Sequence, residues 1–108
     1  MAHELSLDDQ QAEMRRELLK MLWAYLNGAC NYDNLYKKFY FHYADLQDDS
    51  LSDADSDAFG AIHEKMDFVA ENPDAISRRD GWISSKEYRK WLRAFLESNF
   101  VNEARPPA

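Results

Sequence analysis

Cysteine is nearly missing from this 108-residue chain. Cys30 stands alone, so no disulfide can close within the chain, and the pattern fits a reducing compartment, here expected to be the cytoplasm. Glycine occurs three times, at Gly28, Gly60 and Gly81, which excludes a glycine-rich phosphate loop and a nucleophile elbow. Proline is as scarce, and two of its three occurrences, Pro106 and Pro107, fall in the last three residues. Only two valines and three isoleucines are present and no segment alternates apolar with polar residues, so strands are not expected. No run reaches the roughly eighteen apolar residues of a membrane span, and the opening "MAHELSLDDQ" has neither the basic nor the apolar region of a leader. Between Asp45 and Glu64 there is no lysine or arginine at all.

What is present is apolar and acidic. Apolar residues make up 45% of the chain and aromatic residues 14%, too much of both for a disordered segment, and the length suits a single domain over 1–108. Apolar residues recur at three- and four-residue steps in four segments. Ser6 and Asp9 open a helix over 7–27 with Met14, Leu18, Met21, Leu22 and Tyr25 on one stripe, closed by Asn27 and Gly28. A second helix over 33–47, started by Asn31 or Asp33, carries Leu35, Tyr36, Phe39, Tyr40, Tyr43 and Leu46. A third over 53–71, capped by Ser52 or Asp53, carries Phe59, Ile62, Met66 and Val69 and ends before Pro73. The fourth, over 85–99, begins at the capping pair Ser84 and Glu87 and carries Tyr88, Trp91, Leu92, Phe95 and Leu96. The segment "DAISRRDGW" reads as a polar connection and the tail 102–108 as frayed. The expected fold is all-α, an antiparallel up-and-down four-helix bundle.

Charge is distributed unevenly. The net charge is −7, yet residues 45–74 hold ten carboxylates against Lys65 alone, while residues 78–93 hold six bases against Asp80 and Glu87. Part of this polarity is expected to be internal, with the basic last helix beside the acidic third. A net negative chain is not suited to bind nucleic acid directly or an anionic membrane, since both reward clustered lysine and arginine. Carboxylates this dense repel one another until something cationic neutralises them.

A calcium loop is one candidate. Asp53, Asp55, Asp57 and Glu64 fall at places one, three, five and twelve of an EF-hand, but place six is Ala58 and place eight is Gly60. In "DGWISSKE", Asp80, Gly81, Ile83 and Glu87 fit places five, six, eight and twelve, while Ile76 and Arg78 occupy one and three. His63 and Glu64 begin a zinc-protease pattern that Asp67 interrupts, so no metal or other cofactor is expected. His42 reads as a boundary residue and Cys30 as a small buried apolar group. No activated nucleophile or acid–base pair emerges, and the protein reads as a non-enzyme. Adjacent aromatics in "YDNLYKKFYFHY" cannot all face inward, so some rings are expected at the surface beside the acids, a composition suited to protein binding.

The stretches "LLKMLWAYLNGACNYDNLYKKFYFHY", "IHEKMDFVAENP" and "DGWISSKEYRKWLRAFL" together resemble the colicin D type immunity proteins, the bacterial self-protective colicin-like immunity family, which also accompany toxins of contact-dependent growth inhibition systems. The resemblance spans about residues 14–97 and implies a four-helix bundle that neutralises a cognate basic nuclease toxin, a tRNA-cleaving ribonuclease, by covering its active-site cleft with acid. On that reading Asp45, Asp48, Asp49, Asp53, Asp55, Asp57, Glu64 and Asp67 supply carboxylates, Tyr40 and Tyr43 are anchors, and the free protein is a monomer. The alternatives are a calcium-responsive EF-hand-like module and an acidic regulatory domain for another basic protein.

Overall fold

The structure, a computed structural model, describes residues 6–100. Among these the chain forms helices and no strand. Helix α1 spans Leu7–Leu26, started by the Ser6 hydroxyl, which accepts from the Asp9 backbone N–H, and followed by Gly28 at φ +84°. Helix α2 is continuous but irregular: α-helical at Tyr32–Leu35, a π turn at Tyr36–Tyr40, and α-helical again at Phe41–Ala44. Helix α3 spans Asp53–Met66, α4 Ala75–Arg79 and α5 Ser85–Asn99.

Where the sequence left the starting cap open, side-chain chemistry decides it. Asn31 accepts from the Asn34 N–H at the start of α2, and Ser52 accepts from the Asp55 N–H at the start of α3. The Ser84 and Glu87 side chains complete a reciprocal capping box on α5. Such a cap satisfies a backbone N–H that the helix itself cannot pair.

Three boundaries differ from expectation. Helix α2 covers 32–44 rather than 33–47. Helix α3 stops at Met66 rather than near 71, because the next residues take a different partner: the Ile83 N–H donates to the Phe68 carbonyl at 2.8 Å and the Ala70 N–H to the Ile83 carbonyl at 2.9 Å. These bonds form a single parallel bridge between Val69 and Ile83, so Val69 leaves the helical stripe. The supposed connection contains α4, capped by Asp74, whose carboxylate accepts from the Ser77 N–H at 2.8 Å. Asn72 lies before Pro73 at φ +50°, a conformation asparagine tolerates and one that prevents α3 from continuing into α4. The tail 102–108 lies outside the described residues.

The core gathers the expected stripes. Leu18 and Leu22 of α1, Leu35 and Phe39 of α2, Phe59, Ile62 and Met66 of α3, and Tyr88, Leu92 and Leu96 of α5 are all buried. Each such side chain contributes roughly 1.5–3 kcal/mol by leaving water. On α1 the buried face is wider than the stripe suggests, with Leu19, Trp23 and Leu26 also enclosed. Contacts fix the relative directions of neighbours. Arg89 near the start of α5 donates to the Tyr25 and Leu26 carbonyls at the end of α1, while Arg15 of α1 lies 5.2 Å from the Phe100 ring beyond the end of α5, so the two helices run oppositely. Helices α2 and α3 also oppose, since Tyr43 reaches the Ser56 carbonyl and Tyr32 the Met66 carbonyl.

Three tyrosines tie these helices together. The Tyr32 ring meets Tyr25 and Tyr88 edge to face at 6.3 and 5.5 Å. Their hydroxyls donate to carbonyls on other elements: Tyr25 to Ser85, Tyr32 to Met66 and Tyr88 to Ile62. Burial raises the pKa of all three above the ordinary 10.0, with nearby Arg89 opposing the rise at Tyr25. A pKa raised by folding contributes stability that is fully present below the unfolded value and is lost as pH rises through the folded ones. Urea midpoints should therefore fall as pH climbs above 10, and Tyr32→Phe should make that decline shallower. An identical alkaline decline in the variant would show that Tyr32 is not linked to folding.

Candidate functional site

The site follows from the two faces of α3. At 100° per residue, Asp53, Asp57 and Glu64 fall within about 40° of one another, a stripe about 16 Å long on the side away from Phe59, Ile62 and Met66. All three carboxylates are exposed, as are Asp45, Asp48 and Asp49 in the turn that leads into α3. None of these six has a cationic partner among the described residues. The turn is nonetheless anchored: Leu51 is buried, and the Gln11 side-chain amide of α1 donates to the Asp49 carbonyl at 3.1 Å.

Two of the expected carboxylates are engaged instead of free. Asp55 points to the opposite side of α3, where its side chain is only 14% exposed and pairs with Arg15 of α1 at 3.7 Å. Asp67, just past the end of α3, accepts from the Tyr40 hydroxyl at 2.8 Å, a bond that holds the phenol pKa above its ordinary value. Asp67 remains exposed and extends the acidic surface toward α2.

Aromatic side chains form the edge of this surface. His63 lies between Tyr40 and Tyr43, stacked on the first at 4.1 Å and tilted against the second at 5.0 Å. Its Nε2 is buried with no hydrogen-bond partner among the described residues, and the imidazole fills the space between the two phenols. Tyr43 donates to the Ser56 carbonyl at 3.1 Å, and Gly60 lies directly beneath that hydroxyl: a Cβ there would stand 3.1 Å from it. Both expected anchors are thus half-buried and held by hydrogen bonds. Beside them, Tyr43, Leu46, Asp48, Leu51, Ser56 and His63 line a cleft of about 250 Å³.

His63 and Gly60 are the residues that sequence reasoning missed. Both had a signal: they lie on the edge of α3 shared with Ser56 and Asp67, the edge that meets α2. A larger hollow of about 410 Å³, at Asn31, Asp33, Val69, Glu71 and Ser85, contains no histidine, cysteine, lysine or arginine in its lining.

The metal-binding patterns fold into something else. Asp53, Asp55 and Asp57 belong to the first turns of a helix rather than to a loop that converges on an ion. In the second pattern Gly81 does turn the chain at φ +97°, but the Glu87 carboxylate is bound by the Arg78 guanidinium at 2.7 Å and by the Ser84 hydroxyl at 3.0 Å. That bonding, Arg78 foremost, lowers the Glu87 pKa. Among the described residues no group of three or more His, Cys, Asp or Glu side chains is placed to hold a metal. Cys30 is half-buried against the core.

The bases are distributed differently from expectation. Helix α5 does adjoin α3, with the Lys65 ammonium 5.6 Å from the Trp91 ring, but Arg89 and Arg93 turn to the carbonyls that end α1. Cations at a helix C-terminus are favourable there, and Arg89 and Arg93 so placed do not pair with Asp53, Asp57 or Glu64. No helix among the described residues is long and apolar enough to cross a membrane.

No family model, curated protein or solved structure matches this chain.

The contact at Gly60 gives a specific test. Glycine inside a helix costs about 0.5–1 kcal/mol relative to alanine, but alanine here crowds the Tyr43 hydroxyl. In a Tyr43→Phe background Gly60→Ala should stabilise by about 1 kcal/mol, and in the wild type by clearly less. Equal effects in both backgrounds, measured by urea unfolding, would show that the hydroxyl exerts no constraint on α3.

Proposed function

We propose that this protein is a stoichiometric inhibitor of a basic nuclease toxin, an immunity protein of the colicin D type whose partner is a tRNA-cleaving ribonuclease. The observation that carries the reading is the row Asp53, Asp57 and Glu64, continued by Asp45, Asp48 and Asp49, exposed on a helix whose other face is buried. Carboxylates spaced along a rigid rod present charge much as a phosphate backbone does, so they fit a cleft built for RNA and exclude the substrate from it. Long-range attraction speeds encounter, and pairing with the toxin's lysines and arginines slows release.

The same proposal includes an up-and-down antiparallel arrangement of α1, α2, α3 and α5, with α4 as an insertion between the last two. It further takes the protein to be a cytoplasmic monomer with no catalysis and no cofactor of its own. The contribution of Asp55 within it is structural, through Arg15, and the binding set becomes Asp45, Asp48, Asp49, Asp53, Asp57, Glu64 and Asp67, flanked by Tyr40 and Tyr43. The calcium-responsive alternative has no support from the helical placement of Asp53 and Asp57. An acidic regulatory domain for another basic protein would use the same surface, and the identity of the partner separates it from an immunity protein.

Co-expression with a toxin encoded beside this gene tests the reading. The wild type should rescue growth and co-purify with the toxin. The triple variant Asp53→Lys, Asp57→Lys, Glu64→Lys should keep its helical circular dichroism yet lose about a thousandfold or more in affinity, since each reversal replaces an attraction with a repulsion. Rescue and affinity unchanged in the triple variant would remove this face from the interaction.

A further inference from the structure

We infer that the surface beside the acidic stripe is a seat for an arginine of the partner, built from the rings of Tyr36, Tyr40 and Phe41 and the carboxylate of Asp67. This rests on the inhibitor reading and names the side chain that anchors the complex. Phe41 is 54% exposed, one of few large apolar side chains so open to water. Its ring meets Tyr36 and Tyr40 edge to face at 5.9 and 5.6 Å, and those two stack on each other at 4.6 Å. The contact between residues 36 and 41 spans five positions, the spacing that the π turn at Tyr36–Tyr40 brings together and a regular α-helix does not. Asp67 stands at the tip of Tyr40, bonded to its hydroxyl.

The molecule twice uses this combination for its own arginines. Arg15 lies 5.2 Å from the Phe100 ring and pairs with the Asp55 carboxylate, and Arg89 lies 4.2 Å from the Tyr25 ring while donating to two carbonyls. A planar guanidinium can lie on a ring and still direct its N–H groups to an acceptor beyond the ring's edge, which a compact ammonium cannot do equally well. Tyr40 is itself held between Tyr36 and His63, so the open ring face is that of Phe41, with the Asp67 carboxylate as acceptor, and no lysine or arginine among the described residues lies over it. Lys37, one turn before Phe41, repels a cation, so the approach is from the Asp67 side.

Two labelled peptides of equal length and charge test this, one alternating glycine with arginine and the other glycine with lysine, titrated at fixed salt. The wild type should bind the arginine peptide about tenfold more tightly. Phe41→Ala, at an exposed position, and Asp67→Asn should each reduce that ratio toward one, with circular dichroism unchanged and, for Phe41→Ala, unaltered affinity for the lysine peptide. Equal affinities in the wild type, or a preference that survives Phe41→Ala, would overturn the seat. If both peptides still bind in a salt-sensitive way, the acidic surface stands without it; if neither does, the inhibitor reading falls as well.

Discussion

A helix cannot turn its charges away from one another when its opposite face is locked in a core, and α3 is held in that way. Phe59, Ile62 and Met66 are enclosed, the Tyr88 hydroxyl reaches the Ile62 carbonyl, and Asp55 is clamped by Arg15. These contacts fix the rotation of α3 and so fix Asp53, Asp57 and Glu64 in a row facing water. Hydrophobic burial of the inner face outweighs the mutual repulsion of the outer one, because exposed charges several ångströms apart in water interact by only about 1 kcal/mol while each buried side chain contributes roughly 1.5–3.

The use of arginine elsewhere sustains that imbalance. Arg89 and Arg93 close the C-terminal end of α1, Arg78 holds Glu87 at the start of α5, and Arg15 is paired behind α3. Bases that could have neutralised the acidic stripe are thus engaged in holding helix ends in place. The tyrosines do related work, since Tyr25, Tyr32, Tyr40, Tyr43 and Tyr88 each donate a hydroxyl to another element. A small domain without disulfides gains its rigidity from these cross-links, and a rigid charged surface loses little entropy when it meets a partner.

Much of this was legible in the residues. Ser6, Ser52 and the Ser84–Glu87 pair announce helix starts because capping is local chemistry, and the stripe Tyr88, Leu92 and Leu96 announces a core face because its period is helical. What was illegible depends on contacts distant in sequence. Helix α3 ends at Met66 because Ile83, many residues on, takes the bonds of Phe68 and Ala70. The π turn of α2 has no signature that spacing reveals. Asp55 lies between: its partner Arg15 was invisible, but its place on the Ile62 side of α3 followed from periodicity alone and separates it from Asp53 and Asp57.

The carboxylates of Asp53, Asp57 and Glu64 have no cationic partner among the described residues, and salt tests directly whether they repel one another in the free protein. Between about 0.01 and 0.15 M monovalent salt the screening length falls from about 30 to about 8 Å, enough to weaken repulsion along the α3 row. The account predicts that the urea midpoint of the isolated protein rises over this range, and rises less once Asp53, Asp57 and Glu64 are replaced by their amides. A midpoint that falls with added salt would mean that these carboxylates are held in internal ion pairs, and would contradict the account.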